Sequence, residues 1–154
     1  MFKQKLTNLI LGLVLALALG FWTAAQAQIN KAVPEPEKLF EGQWVNDRNS
    51  AVTLIETDGA LSGYYQTALG QPDKSKRFPL TGFIQGDQIT FTVTFKGYGS
   101  MTSWTGQMSE DAQGVYIRTL WHLTRDVEDE NEPKDMWSSI TSGASDFRPA
   151  GPEK

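Results

Sequence analysis

Hydrophobic and polar residues alternate with a period of two over most of the chain between residues 42 and 147. Such alternation is typical of β-strands with one buried face, and no segment of this region shows a convincing helical period. Glycine, aspartate and asparagine interrupt the alternation at short intervals, as they do in barrels and sandwiches. The pattern predicts eight strands, at about residues 42–46, 51–57, 60–67, 77–84, 88–95, 101–108, 115–123 and 138–147.

The turns between these strands favour antiparallel hairpins. Asp58-Gly59 is a preferred two-residue hairpin turn, because both of its positions require a positive φ. Eight antiparallel strands leave two unpaired edges unless the first strand meets the last one. We therefore predict an all-β fold, an eight-stranded antiparallel up-and-down β-barrel, whose lumen has room for side chains or one small ligand.

Strands five and six place aromatic and hydroxyl side chains on one face. The alternation assigns to this face Phe91, Val93, Phe95, Thr102, Trp104 and Gly106. A buried hydroxyl without a partner costs about 1–3 kcal/mol, so a purely structural core would favour Val, Ile and Leu. Ser100, Thr102 and Trp104 together indicate a lumen that is polar at one end and apolar along its sides. Core aromatics and a backbone-bonded threonine explain this stretch equally well when it is considered alone.

The seventh strand has a clear alternation of its own. It predicts Val115, Ile117, Thr119, Trp121 and Leu123 inside the barrel, and Tyr116, Arg118, Leu120 and His122 outside. The single histidine is therefore expected at the surface rather than in a catalytic role. Residues 125–135 are rich in acidic side chains without a fixed metal-ligand spacing, and we expect a solvated loop there.

The two ends of the chain differ from the barrel region. Residues 1–27 resemble a secretory signal peptide, with Lys3 and Lys5, a short apolar run and an Ala-Gln-Ala cleavage site. Residues 28–41 and 149–154 carry prolines and charges and are predicted to be tails, which leaves the barrel at residues 42–148. The apolar run is short for a membrane span, so we expect cleavage, no membrane anchor, and a secreted or periplasmic protein.

Charge and cysteine content exclude several classes of function. Without Lys3 and Lys5, 12 of the 14 basic residues remain against 18 acidic ones, a formal charge of −6. This charge argues against a nucleic-acid or anionic-membrane partner. The chain has no cysteine, so disulfides, thiolate metal sites and cysteine nucleophiles are excluded.

The order and spacing of several motifs resemble those of the avidin and streptavidin family. The motifs are GQWVNDRNS at residues 42–50, GYYQTALG at 63–70, FKGYGSMTSWTGQ at 95–107, TLWHLT at 119–124, Trp137, and a closing Gly-x-x-x-Phe at 143–147. Each motif alone is weak, but together they cover almost the whole predicted barrel.

The resemblance implies biotin as a non-covalently bound ligand, with no cofactor and no metal. It implies that Asn46, Ser50 and Tyr65 donate to the ureido carbonyl oxygen of biotin. It assigns the remaining roles as follows: Thr67 to one ureido nitrogen, Thr102 to the thioether sulfur, Ser100 with the Leu69-Gly70-Gln71 loop to the valerate carboxylate, Phe95, Trp104, Trp121 and Leu123 to the apolar walls, and Trp137 to the pocket of a neighbouring subunit.

The residues themselves support these roles. Asn46, Ser50, Tyr65 and Thr67 lie on the inward parity of their strands. In a filled core they would need four separate partners, whereas one polar ligand would satisfy all of them at once.

Three positions depart from the pattern that the resemblance implies. Ser145 stands where the family has an Asp or Asn that accepts from the second ureido nitrogen, while Asp146 has outward parity unless a bulge shifts the strand. Arg48 stands in place of a leucine, and either its stem packs with the guanidinium in solvent or it crowds the site. Phe95 replaces a tryptophan, which keeps an aromatic wall but removes an indole.

Two other classes of function fit the residues less well, and the sequence also favours one oligomeric state. A Gly-x-Trp opening also occurs in lipocalin-like carriers of apolar molecules, but the inward Asn46 and Ser50 are polar for a lipid lumen. No nucleophile-base pair or carboxylate dyad lies on the inward parity, so we expect no enzymatic activity. Trp137 and the absence of cysteine favour a homotetramer over a dimer.

Overall fold

A computed structural model describes residues 37–151 as a closed barrel of eight antiparallel strands. Each strand pairs with the next one, and the last pairs with the first. The strands are β1 (Gly42–Asn46), β2 (Ala51–Thr57), β3 (Ala60–Gln66), β4 (Phe78–Gln85), β5 (Gln88–Phe95), β6 (Ser100–Asp111), β7 (Gly114–Arg125) and β8 (Ile140–Pro149). The predicted fold class is confirmed.

The connections between the strands differ at the two ends of the barrel. Because the strands alternate in direction, the connections at 58–59, 86–87 and 112–113 all lie at one end, and all of them are tight. In the first of these, Asp58 and Gly59 have φ values of 50° and 77°, as the sequence predicts. The longer connections at 47–50, 67–77, 96–99 and 126–139 lie together at the other end, which we call the open end.

The core fills the barrel towards the end with the tight turns. The face predicted for strands five and six is confirmed, because Phe91, Val93 and Trp104 are buried and Phe91 is paired in register with Trp104. The rings of Phe91 and Trp104 stack with centroids 4.9 Å apart. Aromatic packing of this kind gives the barrel a solid base and leaves space only towards the open end.

One prediction for the seventh strand is wrong. Val115 is 45% exposed instead of buried, because it lies at the start of β7 beyond the packed part of the lumen. Tyr116 faces outward, as predicted, yet only 7% of it is exposed. The guanidinium groups of Arg118 and Arg148 lie 5.1 and 4.9 Å from the centre of its ring and cover it.

The predicted tails are shorter than the sequence suggests. Phe40 is fully buried, and its carbonyl oxygen accepts a 2.9 Å hydrogen bond from the indole of Trp44. At the other end, Pro149 pairs with Trp44 and closes the barrel. Both segments were expected outside the barrel, but closure of β1 on β8 recruits them. The predicted signal peptide at 1–27 lies outside the described residues.

The connection between β7 and β8 contains a short helical segment that the sequence pattern does not predict. It comprises one α-helical turn, α1 (Glu132–Asp135), followed by a 3-10 turn (Met136–Ser139). None of its residues is buried, so no periodic apolar face marks it in the sequence. Within residues 37–151, no helix has the length and apolar character needed to cross a membrane.

Candidate functional site

The lumen opens into a cavity of about 460 Å³ at the open end of the barrel. Every residue of the predicted site except Trp137 lines it: Asn46, Ser50, Tyr65, Thr67, Leu69, Gly70, Phe95, Ser100, Thr102, Trp104, Trp121, Leu123 and Ser145. These residues come from six strands and from the connections at 47–50 and 67–77, so barrel closure brings them together.

Three polar side chains meet on one wall of the cavity. Asn46 ends β1, Ser50 precedes β2, and Tyr65 lies near the end of β3. All three are buried, and Asn46 Nδ2 donates to Tyr65 Oη at 3.4 Å. Asn46 Oδ1 accepts from the backbone N–H groups of Arg48 and Ser50 at 3.0 and 2.8 Å. These bonds turn the amide NH₂ group of Asn46 away from the turn and towards the tyrosine.

Tyr65 is held in its protonated form. Burial raises the pKa of its phenol, and the nearby side chains of Ser50 and Asn46 only partly oppose that shift. A phenol whose pKa lies above its usual value of about 10 keeps its proton throughout the physiological range. Tyr65 can therefore act as a hydrogen-bond donor inside the cavity.

Ser50 and Thr67 also hold the connection at 67–77. Ser50 Oγ accepts from the backbone N–H of Ala68 at 3.0 Å. Thr67 Oγ1 accepts from the N–H of Leu69 at 3.1 Å and donates to the carbonyl of Leu69 at 3.0 Å. Thus the buried groups that were expected to depend on a ligand already have protein partners, and that part of the sequence argument is wrong.

Other hydroxyl groups in the cavity are free instead. Within the described part of the chain, Ser100, Thr102 and Ser145 make no side-chain hydrogen bond, although Thr102 and Ser145 are buried. Since buried polar groups are normally satisfied, these hydroxyls are available to a bound molecule. They lie on β6 and β8.

Aromatic rings form the apolar walls of the cavity. Tyr65 contacts Trp104 with ring centroids 5.0 Å apart, and Phe95 packs edge-on against Tyr65 at 6.1 Å. The ring of Trp121 lies on Gly143 of β8, where a Cβ would come within 2.5 Å of Trp121 Cζ2. Gly143 therefore gives the Trp121 ring the space that it occupies.

Ser145 and Asp146 take opposite sides of β8, as predicted. The pairing of β7 with β8 continues without a bulge from Ile117↔Phe147 to Thr124↔Ile140. Asp146 accordingly lies on the outside, where it accepts from Arg118 Nε and Nη2 at 3.1 and 2.8 Å. The bulge that would bring its carboxylate into the cavity is absent from this pairing.

Arg48 lies at the edge of the cavity and does not fill it. Its side chain is exposed, and its guanidinium lies 5.1 Å from the centre of the Trp121 ring. The sequence leaves open a packed stem with the guanidinium in solvent or a side chain that crowds the site; in the structure the guanidinium itself packs on the Trp121 ring at the cavity edge.

Three lining residues were missed by the sequence argument: Pro72, Tyr98 and Arg125. Arg125 was assigned to the solvated loop, but it is the last residue of β7 and pairs with Ser100. Its inward parity, shared with Trp121 and Leu123, was the signal that would have found it.

Trp137 lies outside the cavity, in the 3-10 turn, and is 85% exposed. His122 is exposed on the outer face, as predicted. Among residues 37–151, no group of His, Asp and Glu is arranged to hold a metal ion.

Comparison with known proteins gives one consistent result. A sequence model of the avidin family matches residues 35–150. Afifavidin from Afifella pfennigii is 36% identical over 86 residues, which cover 52% of this chain and 54% of that protein. The match thus spans about half the length of that relative.

Solved structures resemble the whole barrel. Xenavidin shares 28% identity at a TM-score of 0.63, covering 73% of this chain and 98% of its own. A biotin binding protein from chicken shares 27% identity at a TM-score of 0.64, and the match covers 76% of this chain and 100% of that protein.

Proposed function

This chain belongs to the avidin family, and from that premise we propose that it is a binding protein that holds biotin non-covalently in the lumen of its barrel. Its role is to bind its ligand and not to transform it. The cavity supplies hydrogen-bond donors, free hydroxyl groups and aromatic walls, but no activated nucleophile.

The observation that carries the proposal is the convergence of Asn46, Ser50 and Tyr65 on one buried wall. Two of these side chains are already in contact, and the phenol of Tyr65 keeps its proton. Donors fixed in advance in a cavity with little water stabilise negative charge on a carbonyl oxygen better than water does. The ureido carbonyl of biotin is such an oxygen.

The remaining lining residues suit the other parts of biotin. Thr67 and Ser145 would accept from the two ureido nitrogens, and Thr102 would contact the thioether sulfur. Ser100 and the Leu69-Gly70-Gln71 segment would bind the valerate carboxylate. The apolar ring system would lie between the walls formed by Phe95, Trp104, Trp121 and Leu123.

We expect high affinity from this arrangement. Each aromatic side chain can bury about 150–250 Å² of surface, and burial contributes about 25 cal/mol per Å². The hydrogen bonds of Thr67 and Ser50 to the segment at 68–69 fix the cavity in advance, which lowers the entropy lost on binding. The neutral Ser145 is the weakest part of the site.

The proposal includes export and assembly. Residues 1–27 are proposed to direct the chain to the periplasm or the medium, where the cleaved protein begins at Gln28. We propose a homotetramer in which the exposed Trp137 covers the cavity of a neighbouring subunit.

The test uses the protein expressed from its full sequence in a bacterial host. Mass spectrometry of the exported product gives its first residue, and calorimetric titration with biotin gives stoichiometry and affinity. We expect one biotin per chain and a rise in melting temperature, because ligand binding stabilises the folded state. A variant with Asn46→Ala and Tyr65→Phe should bind much more weakly.

A fluorescent fatty acid separates this function from that of a lipocalin-like carrier. The fluorescence of the fatty acid should not increase when the protein is added, and adding biotin should not change it. Enhanced fluorescence together with no heat from biotin would contradict the proposal.

A further inference from the structure

The cavity is lined by two positive charges and no negative one. Its only charged lining residues within the described chain are Arg48 and Arg125. In a concave site with apolar walls, charges of one sign reinforce each other and raise the local concentration of the opposite ion. The lining therefore favours an anionic ligand over a neutral one of the same shape.

The two arginines differ in what already holds them. The Arg48 guanidinium lies on the ring of Trp121, which is a favourable cation-π contact. The Arg125 side chain has no hydrogen bond, ion pair or ring contact among residues 37–151. The side chains of Arg125 and the adjacent Asp126 form no ion pair. Arg125 is the free cation of the cavity.

Arg125 is placed next to another group without a partner. It pairs in register with Ser100, whose hydroxyl also makes no hydrogen bond within the described chain. Both residues stand where β6 and β7 reach the open end of the barrel. A guanidinium presents several N–H donors in a planar fork that fits the two oxygens of a carboxylate, and the serine adds one more donor.

We propose that Arg125 makes the site selective for the free carboxylic acid of its ligand over neutral derivatives of the same molecule. This inference rests on the proposed function, so the ligand is biotin and the disfavoured class is biotin whose carboxyl group is converted to an amide. An amide has one oxygen and no net charge, so it loses both the second acceptor and the attraction to the guanidinium. The protein therefore selects free biotin over biotin joined to an amine.

The experiment compares biotin with its primary amide, a neutral molecule of nearly the same size. Calorimetric titration, with competition where binding is tight, gives the two dissociation constants at low and at high salt. Because Arg125 is exposed and its ion pair is partly screened, we expect the wild type to prefer the acid by roughly three- to tenfold at low salt. The preference should decrease at high salt.

Variants assign the preference to one side chain. Arg125→Gln should remove most of the acid preference while keeping amide binding, because the direct charge contact is lost and only the more distant effect of Arg48 remains. Arg77→Gln removes a charge from the outer face, where the guanidinium lies 4.3 Å from the Tyr64 ring, and should keep the wild-type ratio. Melting curves with and without biotin check that each variant is folded.

The outcomes are distinguishable. If neither acid nor amide binds to the wild type, the proposed function fails. If both bind equally, biotin binding stands and this inference is overturned. It is also overturned if Arg125→Gln keeps the preference for the acid. If Arg48→Gln abolishes the preference as fully as Arg125→Gln does, the total charge of the cavity and not Arg125 selects the acid, and the inference fails as well.

Discussion

Ser145 and Asp146 are neighbours in the chain but lie on opposite faces of the barrel wall. Ser145 is 3% exposed and lines the cavity, whereas the carboxylate of Asp146 is bound on the outside by Arg118. A shift of β8 by one residue would turn the Asp146 carboxylate into the cavity, and the regular pairing of β7 with β8 prevents that shift.

Ser145→Asp should bind biotin more tightly than the wild type, by roughly tenfold, because a charged acceptor forms a stronger hydrogen bond to a ureido N–H than a hydroxyl does. The free variant should unfold at a lower temperature, since an unpaired buried carboxylate is costly. Rates of biotin dissociation and melting curves measure the two effects.

Ser145→Asn is the matched control for this variant, because it has a similar size without the charge. It should fall between the wild type and Ser145→Asp in affinity and should melt near the wild type. Weaker binding by both variants would show that position 145 does not accept from the ligand.

Tyr65 should give the protein a defined sensitivity to high pH. Burial raises the pKa of its phenol in the folded chain above the unfolded value of about 10. Above pH 10 the unfolded chain then holds fewer protons than the folded one, so the free energy of unfolding falls as pH rises. The stability that Tyr65 contributes is complete below about pH 10 and is lost as pH passes through the raised pKa.

Ultraviolet titration of tyrosinate absorbance, with Tyr65→Phe as the reference, measures this pKa directly. Tyr65 should cause no change in biotin affinity between about pH 7 and pH 9, because its phenol keeps the proton that it donates to the ligand. A fall of affinity in that range that disappears in Tyr65→Phe would contradict the assignment.

Gly143→Ala should weaken both the fold and ligand binding. The new Cβ would come within 2.5 Å of Trp121 Cζ2, so the indole must move. Such overpacking costs about 1–3 kcal/mol of unfolding free energy. Chemical denaturation measures the loss, and a change in tryptophan emission reports the movement of the ring.

Gly151→Ala tests the same substitution in open space, since no atom lies within 4 Å of its new Cβ. This variant should match the wild type in stability and in biotin affinity. Equal behaviour of the two alanine variants would mean that Trp121 adjusts freely.

Trp137 should act on a cavity other than its own. It is 85% exposed in the single chain, and we expect light scattering to give the mass of a tetramer at micromolar concentration. Trp137→Ala should then lower biotin affinity by roughly tenfold or more, as removal of a central interface aromatic does. Val115→Ala changes an exposed apolar residue near the tight-turn end and should leave affinity unchanged. A monomeric mass would rule out this role.

Local patterns were sufficient to predict much of the barrel. The bounds of β1, β2 and β5 follow from alternation and from the turns that separate them, such as Asp58-Gly59. The bounds of β6 and β7 were predicted too short. These two strands pair along their whole length. Their extra residues are ordered by hydrogen bonds to the neighbouring strand, so no buried apolar face marks them in the sequence.

Several features of the structure could not be predicted from alternation along single strands. Tyr116 is buried by Arg148, which lies on another strand, and alternation along one strand cannot reveal that cover. The partners of Ser50 and Thr67 belong to the segment at 68–69, so the sequence could place these side chains inside but not show that they were satisfied. Arg125 was missed because a charge at the end of a strand usually faces solvent.

The barrel has long connections at one end only, and its other end is closed by tight turns and by aromatic packing. A bound molecule must leave by the route through which it entered. Its residence time is then governed by the connections at 47–50, 67–77, 96–99 and 126–139 as well as by the residues that it contacts. Changes in these connections can alter how quickly the protein exchanges its ligand while the lining itself stays the same.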